Sequence, residues 1–309
     1  MNVGLIDVDG HGFPNYALMK ISRYWKQQGA TVLWYSPFEH YDIVYLSKVF
    51  TFTPDYTQII ANADKIERGG TGYKMYEKTL PPEMDRLQPD YSIYNHIIDS
   101  KSAFGFLTRG CIRRCPWCIV PKKEGVLRPY MDIEEIAIEG RNRITLMDNN
   151  VLASDYGLQQ IEKIVRLKLR VDFNQDLDCR LVTNDVAELL SKVKWLEYIR
   201  FACDTSAQLP YLFNACDLLK KHGYKGRVFM NVLLTDDINE CHSRINTIRK
   251  YKGLELLPFA QPYIDFDGRR EPPQWQKDMS RWCNRKEIYH TTEFADYQPR
   301  KGFFCREYL

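Results

Sequence analysis

The chain has 309 residues, a formal net charge of +3 and 44% hydrophobic residues. This length allows one large domain or two modest ones, and the hydrophobic fraction is sufficient for a full core. The small net charge gives no argument for binding to nucleic acid or to a membrane surface, and no apolar run is long enough to span a bilayer. The nine cysteines are an odd number, and the N-terminal residues lack a signal-peptide pattern. These features favour a reducing, cytoplasmic location over a disulfide scaffold.

The first segment of the sequence alternates predicted strands and helices. Residues 3–7 form a buried strand, and a helix follows in which Leu18, Ile21 and Trp25 share one face. Further short strands are predicted over residues 31–35, 42–46 and 91–94. This alternation predicts a small, Rossmann-like, doubly wound α/β domain over residues 1–97.

The second segment, residues 98–260, repeats the strand–helix alternation six times. Its candidate strands are residues 103–107, 144–147, 170–173, 198–202, 227–233 and 254–259. Six βα units imply a parallel sheet but are too few for a complete eight-stranded barrel, so the sequence predicts a partial (β/α)6 barrel. Residues 261–309 form a proline-containing tail with one short helix near residues 275–282. We expect this tail to cover the open side of the barrel.

The most informative stretch holds Cys111, Cys115 and Cys118, spaced by three and then two residues. Thiolates are soft ligands that suit iron–sulfur clusters or zinc. A cluster usually takes four cysteines, so three would leave one iron open to a small molecule. Structural zinc is the alternative, with Cys179 or Cys203 as the fourth ligand, but zinc sites favour paired CxxC units and only one pair is present.

The spacing of these cysteines and their flanking residues resembles the signature of the radical S-adenosylmethionine (SAM) superfamily. The resemblance implies a [4Fe–4S] cluster whose open iron binds the amino and carboxylate groups of SAM. The reduced cluster would cleave SAM to a 5′-deoxyadenosyl radical that abstracts a hydrogen atom. The resemblance also places the motif after the first strand of a partial (β/α)6 barrel. It places Trp117 near the adenine of SAM, and it calls for an electron donor such as flavodoxin or ferredoxin.

The same resemblance indicates further SAM contacts at the ends of the barrel strands. Asp148 and Asn149 replace the usual Gly-Gly-Glu motif after the second strand and would bind the SAM amino group. After the fourth strand, Asp204 is a candidate for a ribose hydroxyl and Arg200 for the carboxylate. Asp176 belongs to a polar run after the third strand and would contact SAM or substrate, since barrel active sites gather at this end. The alternatives are helix caps at Asp148, Asn149 and Asp204, and a plain surface loop at Asp176.

Basic residues crowd the cysteine stretch, at Arg109, Arg113, Arg114, Lys122, Lys123 and Arg128. They would either meet an anionic substrate or electron donor, or offset the negative charge of the cluster.

The first domain resembles the cobalamin-binding domain of one radical SAM subclass. Asp9 and His11 match the start of that motif, with His11 as the cobalt ligand, but Pro14 stands where glycine belongs. The leading hypothesis is therefore a radical SAM enzyme acting on a small molecule, a peptide or RNA. The alternatives are a cobalamin-dependent methyltransferase and, in another class, a non-catalytic zinc or iron–sulfur binding module.

Overall fold

The computed structural model describes residues 1–10, 12–265 and 271–309. Among these, residues 1–102 form one compact unit, and residues 103–265 with 271–309 form another. Both units contain helices and parallel sheets, which confirms the predicted α/β class. Within the described ranges, no helix combines the length and the apolar character needed to cross a membrane.

The first unit is built on one sheet flanked by helices. Its elements are β1 Asn2–Asp7, α1 Tyr16–Gln27, β2 Thr31–Trp34, β3 Tyr41–Ser47, β4 Ala63–Gly69 and the short α2 Pro82–Asp85. The strands are parallel and lie in the order β2-β1-β3-β4. Leu18 and Ile21 on the apolar face of α1 pack against Val3, Leu5 and Ile43 of the sheet, as the helical periodicity predicts.

Two elements of this unit differ from the sequence-based expectation. Residues 91–94, predicted as a strand, form a 3-10 helix. Its first turn is capped by the buried Asp90, whose carboxylate accepts hydrogen bonds from Ser92 N (3.0 Å) and Ser22 Oγ (2.7 Å). The fourth strand is instead β4. The sequence does not predict it, because this edge strand is largely exposed and carries charged residues on both faces.

The second unit contains nine strands in its described residues. They are β5 Ser102–Gly105, β6 Thr108–Arg109, β7 Arg128–Pro129, β8 Arg143–Leu146, β9 Arg170–Phe173, β10 Lys194–Trp195, β11 Ile199–Ala202, β12 Val228–Leu234 and β13 Leu256–Pro262. The α-helices of the same residues are α3 Val120–Lys123, α4 Ile133–Ile136, α5 Asp155–Arg166, α6 Asn184–Lys192, α7 Leu209–Lys221, α8 Ile238–Lys250, α9 Gln274–Asn284 and α10 Lys286–Thr291.

The six predicted strands of this unit correspond to β5, β8, β9, β11, β12 and β13. Together with the short β10 they form two sheets, with the orders β10-β9-β8-β5 and β11-β12-β13. A parallel bridge between Leu177 and Phe201 connects the segment after β9 to β11. Because β8, β9, β11, β12 and β13 are parallel to their neighbours, their carboxyl ends meet at one edge, where the site residues were predicted.

The described tail residues pack against the edge strand β13. Asn284 at the end of α9 accepts a hydrogen bond from Ala260 N (2.7 Å) and donates one to Ala260 O (3.0 Å). Ser280 Oγ donates a second bond to the same carbonyl (2.7 Å). In this way α9 occupies backbone groups that an edge strand would otherwise expose.

Candidate active site at the cysteine loop

The three predicted cluster cysteines lie in the loop between β6 and β7. These two strands pair antiparallel and close the base of the loop. Gly110 begins the loop with φ +84°, and a Cβ there would lie 2.3 Å from the carbonyl oxygen of Val126. Only glycine fits this close approach. Cys111 N then donates to Gly125 O (3.3 Å), which pins the two ends of the loop together.

Glu124 anchors the start of the loop. Its carboxylate accepts two hydrogen bonds from the Arg109 guanidinium (2.8 and 3.1 Å), one from Gly110 N (2.9 Å) and one from Asn149 Nδ2 (2.9 Å). The Glu124 side chain is buried, so these bonds are shielded from water. Arg109, one of the basic residues near the cysteines, is therefore paired within the protein.

Asp148 ties the end of β8 to the residues just before the cysteines. Its buried carboxylate accepts hydrogen bonds from Leu107 N (3.1 Å), Thr108 N (2.5 Å) and Thr108 Oγ1 (2.7 Å). Burial raises the pKa of Asp148 to about 6, against the lowering effect of these hydrogen bonds. Asp148 and its neighbour Asn149 thus lie beside the cysteine loop with their polar groups engaged in holding it. The predicted contact with SAM stays a prediction.

The three thiols share an electrostatic environment. Cys111 Sγ accepts hydrogen bonds from Arg113 N (3.3 Å) and Asn150 Nδ2 (3.4 Å). Burial raises the pKa of Cys115 and of Cys118, and the charges of the neighbouring thiols add to the increase. Cys111, Cys115 and Cys118 are half-buried, whereas the other six cysteines are buried.

This set of donors fits an iron–sulfur cluster in type and accessibility. Thiolates are its usual ligands, and N–H groups directed at a ligating sulfur are a known means of tuning such clusters. The two candidates for a fourth zinc ligand are buried and contact backbone carbonyls: Cys179 Sγ lies 3.8 Å from Ala202 O and Cys203 Sγ lies 3.9 Å from Thr205 O. Across residues 1–10, 12–265 and 271–309, no three histidine, cysteine or acidic side chains are already arranged around a point that could hold a metal ion.

Asp178 connects the polar run after β9 to the cysteine loop. Its carboxylate accepts bonds from Arg113 Nε (2.9 Å) and from the Arg180 guanidinium (2.6 and 3.1 Å). Burial acts to raise the pKa of Asp178, but the two guanidinium groups outweigh it and lower the pKa. Asn150 Nδ2 lies 3.4 Å from the same carboxylate, so these side chains form one network with the sulfur of Cys111.

Asp176 is the most unusual carboxylate of the site. It has a left-handed backbone with φ +66°, and its Oδ2 accepts a hydrogen bond from Asn231 Nδ2 on β12 (2.6 Å). Its Oδ1 is buried and has no hydrogen-bond partner among the described residues. Burial raises the pKa of Asp176 to about 7, and the nearby charge of Asp204 adds to the shift. An unpaired buried oxygen on a strained residue is typical of a binding or catalytic site.

Asp204 and Trp117 lie together next to the thiols. Asp204 Oδ1 accepts from Leu233 N (3.3 Å), and the side chain of Trp117 lies near enough to act to lower the pKa of Asp204. Burial raises the pKa of Asp204, and its charge contributes to raising the pKa values of Cys115 and Cys118. The arrangement therefore places an aromatic ring and a carboxylate beside the cysteine loop.

Arg200, on β11, is paired with an aspartate of β9. Its Nε donates to Asp172 Oδ1 on β9 (2.7 Å), and its guanidinium lies 4.9 Å from the ring centroid of Phe229. Its charge lowers the pKa of Asp176, which shows that the two side chains are near each other.

Sequence comparison finds relatives that are named tRNA-2-methylthio-N(6)-dimethylallyladenosine synthase. The one from Paraburkholderia phymatum is 25% identical over 243 residues, which cover 72% of this chain and 49% of the relative. The one from Francisella tularensis subsp. novicida is 24% identical over 233 residues, covering 70% and 49%. A third, from Paraburkholderia phytofirmans, is 26% identical over 241 residues, covering 71% and 48%.

The resemblance to the radical SAM superfamily is confirmed. At the level of this superfamily, the predictions of an enzyme and of a [4Fe–4S] cluster and SAM as cofactors are confirmed too. Cobalamin is not indicated by these relatives, and the predicted cobalt ligand His11 lies outside the described residues. The chain spans about half the length of the curated relatives it matches. No protein-family model matches it.

The fold brings most of the predicted residues of this candidate site to one place. Trp117 and Asp204 lie beside the thiols, and Asp176 is close enough to Asp204 for their charges to interact. Asp148 and Asn149 hold the base of the loop. Their individual roles toward the cluster or SAM stay predictions.

Several residues of this candidate site were not predicted from the sequence. Glu124, Asn150 and Asn231 are polar residues whose partners lie 14 to 55 positions away along the chain. The signal for Glu124 was its position as an acidic residue within a basic stretch. For Asn150 it was a second asparagine after the predicted Asn149. Asn231 interrupts the apolar strand β12 with an amide, which is the signal that could have identified it.

Proposed function

We propose that this chain holds a [4Fe–4S] cluster on Cys111, Cys115 and Cys118 and catalyses hydrogen abstraction from a substrate. When bound, the cluster supplies the electron that cleaves SAM to methionine and a 5′-deoxyadenosyl radical. The observation that carries the proposal is the contrast between these three half-buried thiols in one pinned loop and six buried thiols elsewhere. An electron donor of the flavodoxin or ferredoxin type would complete the reaction.

The protein side chains would position the cofactors in two ways. Asp148, Asn149 and Glu124 fix the base of the loop, because their polar groups are directed at its backbone and side chains. We propose that Trp117 and Asp204 contact SAM, since both lie beside the thiols.

Further contacts would come from the carboxyl ends of the neighbouring strands. We propose that Asp176 contacts SAM or substrate through its unpaired Oδ1. Arg200 is close enough to Asp176 to interact with it, and we propose that it assists in binding a carboxylate.

We also propose the finer architecture that would hold this chemistry. Residues 98–260 would form the partial (β/α)6 barrel, preceded by a Rossmann-like domain over residues 1–97 and covered by the tail over residues 261–309. The support is the succession of six strands in the second unit, the parallel bridge between its two sheets and the packing of α9 on β13.

An RNA base is the substrate class that the relatives favour. Their names specify an adenosine of tRNA that acquires a methylthio group. In that chemistry, the cysteine loop would account for the hydrogen-abstraction step. A methylthio product also needs a sulfur atom, and the six cysteines outside the loop are buried, so we propose that any such sulfur comes from another donor.

The proposal is tested by anaerobic reconstitution with iron and sulfide. We expect about four irons and four sulfides per chain, and formation of 5′-deoxyadenosine from SAM after reduction with dithionite. Cys115→Ala should abolish both. Cys216→Ala, which changes a fully buried cysteine on α7, is the matched control and should retain both. Zinc without iron or sulfide would contradict the proposal, as would 5′-deoxyadenosine formation by Cys115→Ala.

A further inference from the structure

A cavity in the first unit has no part in the chemistry proposed for the cysteine loop. Its volume is about 290 Å³, and Asp7, Gly12, Trp34, Tyr94 and His96 are among the residues that line it. Asp7 ends β1 and Trp34 ends β2, so the cavity lies at the carboxyl ends of two parallel strands. In the order β2-β1-β3-β4 the chain reverses direction across the sheet beside β1. That reversal lies between β1 and β3, and the cavity lies next to it, at the ends of β1 and β2. Open α/β sheets bind their ligands outside the carboxyl ends of the strands.

The walls of this cavity are held in place by hydrogen bonds and ring contacts. Tyr94 OH donates to Asp7 Oδ2 (2.6 Å), and Trp34 Nε1 donates to Ile93 O (3.2 Å). The rings of Trp34 and Tyr94 meet edge to face with centroids 5.3 Å apart. Burial, together with the charge and hydrogen bond of Asp7, raises the pKa of Tyr94, so the phenol keeps its proton and Asp7 remains the acceptor. A ligand would therefore meet a carboxylate held by Tyr94 and the ring of Trp34, which packs against Tyr94.

We infer that this cavity binds a guanine base. Trp34 and His96 provide aromatic surfaces on which a flat heterocycle can stack. Guanine presents two adjacent N–H donors, N1–H and N2–H, which match the two oxygens of a carboxylate such as Asp7. Adenine and cytosine place an acceptor beside their amino group, and uracil places carbonyl oxygens beside its N–H, so each would meet Asp7 with repulsion.

The polarity of the cavity also favours a base over a phosphate. Among the described residues that line it, none is a lysine or an arginine. The phosphates of a nucleotide would therefore lie outside, and the recognised group is the ring itself. This ring could come from free guanosine or from a guanine in single-stranded RNA, since both present the same edge.

Calorimetric titration of the full chain with guanosine, adenosine and inosine tests this inference. We expect guanosine to bind at least tenfold more tightly than adenosine, and inosine, which lacks the 2-amino group, to bind more weakly than guanosine. Asp7→Asn should abolish the preference for guanosine. A second titration, with the trinucleotides UGU and UAU, distinguishes free guanosine from RNA as the source of the base. A preference for UGU without binding of guanosine would assign the site to RNA and would still support a guanine site.

Two glycine variants separate filling of the cavity from general damage to the fold. A Cβ at Gly12 would have no atom within 4 Å, and the same holds for Gly69 at the end of β4, which does not line the cavity. Gly12→Leu should weaken guanosine binding at least tenfold, while Gly69→Leu should bind like the unaltered chain and melt at a similar temperature.

Several results would overturn the inference. Equal affinity for guanosine and adenosine would exclude recognition by Asp7, and unchanged binding in Gly12→Leu would place the ligand elsewhere. Binding of hydroxocobalamin that Gly12→Leu removes, without guanosine binding, would assign the cavity to a corrin instead. Because these titrations need neither iron nor SAM, their failure would leave the proposed radical chemistry untouched.

Discussion

The carboxylates around the cysteine loop differ in how completely they are hydrogen-bonded. Glu124, Asp148 and Asp178 each accept three or more hydrogen bonds from backbone or side-chain donors of the site. Asp176 accepts one, from Asn231, and retains an unpaired buried oxygen. The first group stabilises the loop, whereas Asp176 has bonding capacity left for a ligand, at a cost in free energy to the ligand-free protein.

Asp176 should make the stability of the protein depend on pH. Its pKa is about 7 in the folded protein and near 3.8 in the unfolded chain, so the folded state binds more protons between these values. Stability is therefore greatest below about pH 4 with respect to this group and falls as the pH rises to about 7. Asp176→Asn removes the titration, and we expect it to gain about 2–3 kcal/mol relative to the unaltered chain between pH 5 and pH 8.

Urea unfolding at pH 5 and pH 8 measures this difference. Asparagine tolerates the left-handed backbone at position 176, so the variant should fold. Asp185→Asn, at an exposed position in the first turn of α6, controls for the loss of one negative charge. Parallel pH profiles for Asp176→Asn and the unaltered chain would show that the carboxylate is not strained by burial.

At the scale of whole elements, α8 is joined to β11 and β12 through a buried arginine. Arg244 has no exposed surface; it donates to Glu240 Oε1 (2.9 Å), to Leu233 O (2.8 Å) and to the carbonyl of Cys203. Glu240 in turn accepts from Ser206 N (2.8 Å). The pair therefore holds the carboxyl ends of β11 and β12 against the helix, next to Asp204 of the candidate site.

Replacing this arginine should weaken the fold more than replacing a neighbour on the same helix. Arg244→Met leaves Glu240 partly buried without its cation and two carbonyl groups without donors, and we expect a loss of about 3–5 kcal/mol in the free energy of unfolding. Arg249→Met breaks an ion pair with the exposed Glu293 and should cost about 1 kcal/mol or less. Chemical denaturation of both variants gives the comparison, and equal losses would show that the buried pair adds nothing.

At the scale of the molecule, the cysteines are distributed unevenly. Residues 1–102 contain none, the loop between β6 and β7 contains three that are half-buried, and six are buried in the rest of the second unit. Burial raises the pKa values of Cys179, Cys203 and Cys283 to about 12, so these thiols are protonated and unreactive at neutral pH.

Thiol labelling of the metal-free protein should follow this division. With excess iodoacetamide under native conditions, we expect up to three labels per chain, all on the half-buried thiols, and nine after denaturation. Peptide mass spectrometry locates the labels. Reconstitution with iron and sulfide should protect the same three thiols, and early labelling of any buried cysteine would contradict the burial pattern.

Much of the fold could be predicted because its signals are local. The six strands of the second unit and the face of α1 that carries Leu18 and Ile21 follow from runs and periods of apolar residues. The charged edge strand β4 and the 3-10 helix at residues 91–94 were not predicted correctly. In both, the conformation depends on partners elsewhere in the first unit, namely β3 for β4, and Asp90 with Ser22 for the 3-10 helix.

The sequence by itself indicated the cofactor class, because the spacing of Cys111, Cys115 and Cys118 resembles the radical SAM signature, a local pattern that can be recognised without the fold. Only the tertiary structure decided which polar groups serve that loop. Glu124 holds its base, Asn150 contacts a sulfur, and Asp176 keeps an unpaired oxygen. The physical reason is that hydrogen-bonding capacity is a property of residue type, whereas its satisfaction depends on which distant groups the fold brings within about 3 Å.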